Sequence, residues 1–100
     1  MTKAVDNFAL ARWRGMDAAS ALQALADYAK QDASFRPRAN TETTRWHATI
    51  KGGDFEILCT GPKFYDSRSG HGGGGAIDLV MHLLQLEFKQ AVAALRENQL

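Results

Sequence analysis

A chain of 100 residues with 45% hydrophobic and 23% charged side chains reads as one small globular domain, too apolar for a disordered segment. A formal net charge of +1 decides little alone, and the mild basic excess in the middle of the chain is far weaker than the footprint of a dedicated nucleic-acid binder. The charge is uneven, however: residues 36–71 carry Arg36, Arg38, Arg45, Lys51, Lys63 and Arg68 against four acids, while the flanking segments balance or lean acidic.

A single cysteine, Cys59, rules out an internal disulfide framework and a Cys-rich zinc site. The N-terminus has no apolar leader and no run approaches a membrane span, so the expected location is cytoplasmic.

Phe8 and Trp13 flank a short helix that Gly15 would end; the alternative is a loose arm. Asp17 is a candidate N-cap. After it, Leu22, Leu25, Ala26 and Ala29 repeat at i, i+3, i+4 and i+7, which predicts a helix through about Lys30. Pro37, Asn40 and the polar run to Thr44 read as a loop. In RWHATI, Trp46, Ala48 and Ile50 alternate with Arg45, His47 and Thr49. In DFEILCT, Phe55, Ile57 and Cys59 alternate with Glu56, Leu58 and Thr60. Period two with aromatic and β-branched residues predicts half-buried strands. Lys51-Gly52-Gly53-Asp54 predicts a hairpin with both glycines at its centre, and Gly61-Pro62 a second turn into a third strand, KFYD. Ile77, Val80, Met81 and Leu84 form one helical stripe; Phe88, Ala91, Val92 and Leu95 form another, after a break at Gln85–Glu87.

The expected fold is α+β. A three-stranded antiparallel meander (residues 44–66) packs with an N-terminal helical part (1–35) and two C-terminal helices (75–98), in a single domain over residues 1–100.

Gly70-x-Gly72-x-x-Gly75 matches the dinucleotide fingerprint, but a run of glycines matches it almost automatically, and no second strand follows the helix. The P-loop reading fails for want of Gly-Lys-Ser/Thr. Two readings of Gly72, Gly73, Gly74 and Gly75 remain. The first is a sharp turn that packs closely on the sheet; the second is a phosphate contact made by backbone amides at a helix start. His47, His71, His82 and Cys59 contain no close metal-ligand pair, so no metal or cofactor is expected. His82, next to Met81, reads as partly exposed. Asp66 and Asp78 form no recognisable acid/base pair, and nothing argues for catalysis within the chain.

Arg45, His47, Thr49 and Lys51 share one face of the first strand; Lys63, Tyr65 and Arg68 lie on or just after the third. Cations interleaved with aromatics on a small sheet suit single-stranded DNA, with charges on phosphates and rings under bases. The DNA-binding candidates are Arg45, Lys51, Lys63, Tyr65, Arg68 and His71; the alternative is an ordinary solvated outer face.

The segment from Lys63 to Arg96 resembles the C-terminal half of the zinc-binding domain of bacterial-type DNA primases. The resemblance is carried by Phe64-Tyr65, by Gly74-Gly75-Ala76-Ile77, by Val80-Met81, and by Leu86, Phe88, Ala91, Val92 and Leu95 in order and spacing. The first 35 residues are not covered by it. The family's zinc ligands in the turn are cysteines, and the matching positions here are Ser67 and Gly70. The chain therefore looks like a zinc-free version, of the kind found ahead of Toprim domains in primase-like proteins of plasmids and other mobile elements. The resemblance implies a non-catalytic module that helps a Toprim or primase catalytic domain engage single-stranded DNA template in replication. It also implies that a core of Trp46, Phe55, Ile57, Phe64 and the C-terminal helices stands in for the metal. The rival expectation is a structural or protein-interaction domain that docks a neighbouring catalytic domain or a replication partner through its alanine-rich helix and Trp13.

Overall fold

The computed structural model describes residues 6–100. Helix α1 (Asn7–Arg14) starts where the Asp6 carboxylate accepts the Ala9 amide at 2.7 Å, and it ends at Gly15. Its Trp13 is fully buried, so the first segment is an integral helix and not a loose arm. Helix α2 (Ala18–Leu25) is capped by Asp17, whose carboxylate accepts the Ser20 amide at 3.0 Å.

Helix α2 stops five residues short of Lys30. Ala26 turns to extended backbone at φ −78° and ψ 148°, and Tyr28–Gln31 form strand β1. The alanine-rich pattern favours helix locally, but β1 supplies the hydrogen-bonding partner for one edge of β2 (Thr44–Ile50) and turns Ala29 against the core. Asp27 anchors the switch: its amide donates to the Thr49 carbonyl and its carboxylate accepts the Lys51 amide, both at 2.9 Å.

Strands β2, β3 (Gly53–Thr60) and β4 (Lys63–Asp66) lie where the alternation places them. The first hairpin is shifted by one residue. Ile50 pairs with Gly53, so the two central residues are Lys51 at φ +48° and Gly52 at φ +80°. A fifth strand, β5 (His71–Gly74), takes up most of the glycine run and pairs with β4. The expected three-stranded meander is thus a five-stranded antiparallel sheet in chain order, β1-β2-β3-β4-β5.

Helices α3 (Ala76–Leu84) and α4 (Phe88–Glu97) follow, separated by Gln85 in the left-handed conformation at φ +53°. The buried core lies on one side of the sheet. Trp46, Ala48, Ile50, Ile57, Cys59 and Phe64 point inward and meet Trp13, Leu22, Leu79, Val80 and Leu95. The glycine corner sits where α1 crosses the start of α3. Gly75 has φ +89°, and a Cβ there would lie 3.0 Å from the Arg14 Cα. Close packing is therefore what Gly75 is for. Among the described residues, no helix is long and apolar enough to cross a membrane.

Candidate nucleic-acid interface

The face of the sheet opposite the helices is open. Strand register places Arg45 opposite Leu58, Leu58 opposite Tyr65, and Tyr65 opposite Gly72, in one row across four strands. The next row runs Thr60, Lys63, Gly74. Tyr65 is 45% exposed and lies over the bare β5 backbone; a Cβ on Gly72 would come within 3.1 Å of its ring. Beside the ring is a groove of about 480 Å³ lined by Thr43, Leu58, Thr60, Lys63 and Tyr65.

The cations on this face are not all free. The Arg45 Nε donates to the Asp32 carboxylate at 2.9 Å and lies 3.3 Å from the Glu56 carboxylate. Its guanidinium sits 5.0 Å from the Phe35 ring centre. Arg68 reaches the other Glu56 oxygen at 3.7 Å. Hydrogen bonds from the Ser34 side chain and from Arg45 hold the Asp32 carboxyl well below the usual carboxylate range. The expected basic stripe is therefore a mixed network, Asp32–Arg45–Glu56–Arg68. Lys63 and Lys51 are exposed and make no ion pair among the described residues, but Lys51 lies in the hairpin at the far end of β2.

The β4–β5 turn carries the site's other polar chemistry. Asp66 has the same strand parity as Phe64, so it faces inward and is buried. One of its carboxylate oxygens accepts the Arg68 amide at 3.0 Å and the Ser69 amide at 3.3 Å. The other lies 2.7 Å from His82 Nε2. Burial works to raise the Asp66 carboxyl, but these hydrogen bonds outweigh it and hold the group below its ordinary value. His82 is not a surface residue: its side chain is only 9% exposed, because the acid on β4 draws it onto the sheet. His71 stacks on it, ring centres 4.5 Å apart and 5° from parallel, and Phe64 lies 5.9 Å from His82.

His71 therefore sits on the α3 side of the sheet and not beside Tyr65. The glycine amides are also largely engaged. Gly75 donates to the Pro62 carbonyl at 2.9 Å, Gly74 to the Asp78 carboxylate at 3.2 Å, and Gly73 pairs with Phe64 within the ladder. With Asp78 at the helix start, the corner is poorly made for a phosphate. Burial, and secondarily the charge of Asp17, pushes the Cys59 thiol up to about 12, so it is neither nucleophile nor ligand at neutral pH. His47 is on the outer face, away from the other histidines. Among the described residues, no three His, Cys, Asp or Glu side chains are arranged to hold a metal. No serine, threonine or cysteine among them hydrogen-bonds to the His71 or His82 ring.

The Asp66–His82 pair is the feature that sequence patterning missed. Its signal was present: an acid at an inward-facing strand position requires a partner. Trp13, Ala18, Ala21 and Leu22, the surface expected for partner docking, are buried in this domain's own core. No family model, curated protein or solved structure matches the chain.

Proposed function

We propose that this domain is a non-catalytic module that holds single-stranded DNA on its open sheet face, as part of a primase-like or Toprim protein. The observation that carries the reading is the half-exposed Tyr65 ring, in a groove with Leu58 and the unpaired Lys63 and on a face that no described helix covers. A ring in this setting offers a stacking platform to any base, and the adjacent cation offers a phosphate contact. Arg45 and Arg68 contribute by exchanging Asp32 and Glu56 for phosphate. The primase relationship is supported by the order of β4, turn, glycine corner, α3 and α4, which agrees with the resemblance over Lys63–Arg96.

Fluorescence anisotropy with a short labelled oligonucleotide tests it. Binding should weaken steeply with salt. Tyr65→Ala should cost about 1–3 kcal/mol. Lys63→Ala should weaken all sequences alike. Absent or salt-independent binding overturns the reading.

Protein docking remains the second reading, moved to a different surface. On the helical side Phe88 is 45% exposed and lines a small groove with Leu10 and Met81, and Phe8 on α1 is 87% exposed. Phe88→Ser should leave DNA binding intact if that surface serves only a protein partner.

A further inference from the structure

Resting on that reading, we infer that the groove between β5 and α3 is a nucleobase pocket. In it, an unpaired base bearing an exocyclic amine stacks on the free face of His71 and donates to Asp78.

The groove encloses about 660 Å³ and is lined by His71, Gly72, Asp78, Met81, His82 and Leu86 among others. His82 covers one face of His71 and the Phe64 ring lies 6.4 Å from it at a tilt of 32°; His71 is nonetheless exposed and lines the groove, which leaves the face turned away from His82 for a ligand. The ring is held in place from behind. His82 is fixed by its 2.7 Å contact with buried Asp66 and stacks in turn near Phe64. A planar group entering the groove extends a stack that already exists, and little conformational freedom is lost in forming it. Met81 and Leu86, both partly buried, give the groove apolar surface suited to an aromatic ring.

Polar groups select among rings. One Asp78 oxygen accepts the Gly74 amide, and the other has no partner among the described residues. It can accept from the amine of adenine or cytosine; a thymine presents only a carbonyl oxygen at the equivalent position and is repelled. Gly72 adds a second contact. The bond from Gly75 to Pro62 fixes the ladder so that Phe64–Gly73 and Asp66–His71 are the bonded pairs. The Gly72 amide and carbonyl then both point to the open edge.

The pocket and the Tyr65 platform share one hairpin. Gly72 is opposite Tyr65 in register, and β5 carries no side chain from Gly72 to Gly74. A single strand rounding this thin edge places one base on Tyr65 and another on His71.

NMR titrations of the full chain separate the pocket from the outer face. Adenosine and cytidine, which carry no phosphate, should shift the His71 ring, the Gly72 amide and the Met81 methyl, whereas thymidine should not. Oligo(dA) and oligo(dC) should bind about tenfold tighter than oligo(dT), the scale of one base-edge hydrogen-bonding contact. His71→Ala should abolish that preference, His71→Phe should retain binding, and Asp78→Asn should admit thymidine. If oligonucleotides move Tyr65 and Lys63 but neither they nor nucleosides move the groove, the pocket is wrong and the outer-face reading stands. If nucleosides move the groove while no oligonucleotide moves Tyr65 or Lys63, the pocket stands and the outer-face reading falls. Silence at both places refutes both.

Discussion

His82 Nε2 lies 2.7 Å from the Asp66 carboxylate, and both side chains are nearly inaccessible to water. This contact fastens the β4–β5 turn to α3, since the same carboxylate also organises the Arg68 and Ser69 amides. Asp66→Ala should destabilise the domain by about 2–3 kcal/mol, the usual cost of leaving buried hydrogen-bonding groups without their carboxylate partner. Urea unfolding measures it; a loss under about 0.5 kcal/mol would show that the turn holds without the pair.

The same carboxylate sets an acid limit. Held below its unfolded value of about 3.9, it binds fewer protons folded than unfolded between the two values. Its contribution is therefore complete above that unfolded value and drains away as pH falls through the folded one. Asp66→Asn should flatten the acid side of the stability profile. A wild-type profile with the same slope as the variant below pH of about 4 would contradict this assignment.

Adjacent glycines should behave oppositely. Gly75→Ala forces a side chain into φ +89° and against the Arg14 backbone, so it should cost about 2–4 kcal/mol. At Gly74, a Cβ meets nothing within 4 Å and φ is not positive, so Gly74→Ala should change stability by less than about 1 kcal/mol. Thermal melts of the two variants suffice. Equal losses would mean that the run is needed for flexibility and not for one tight corner.

These residues also show which parts of the fold were legible beforehand. Strands β2 to β4 and helices α3 and α4 were readable because their inward residues repeat with one period and buried one face. Strand β1 was not, since Tyr-Ala-Lys-Gln has no alternation of its own and becomes a strand by pairing with Thr49 to Trp46. Strand β5 was hidden for the same reason: glycines carry no pattern, and what favours them at Gly72 and Gly73 is the Tyr65 ring against one and the Phe64 ring against the other. Charges on the outer face were visible in the sequence. The pairing of Arg45 on β2 with Asp32, just after β1, and with Glu56 on β3 depends on register, which no single strand reveals.

Lys51 separates stability from binding. It occupies a left-handed position at φ +48°, where asparagine is better tolerated, and it precedes Gly52 at φ +80°. Lys51→Asn creates the favoured Asn-Gly hairpin pair and should stabilise by about 0.5 kcal/mol in chemical denaturation. Because Lys51 lies at the opposite end of β2 from Arg45, the change should leave DNA affinity nearly untouched. A marked loss of affinity would extend the interface to that hairpin.

Asp32 restrains the cation most central to the proposed DNA face. Its carboxylate takes two donors of Arg45, and Glu56 takes a further contact. An arginine so engaged adds little to phosphate binding unless the strand displaces the acid, and that exchange cancels much of the Coulombic gain. Asp32→Asn keeps an oxygen for the Ser34 amide but removes the competing charge. Single-stranded DNA should then bind more tightly, and the slope of log affinity against log salt should steepen by about 0.7, the share of one added phosphate contact on a single strand. Anisotropy titrations across a salt series measure both quantities. Tighter binding with an unchanged slope would place the gain elsewhere on the face; no change in either would remove Arg45 from the interface.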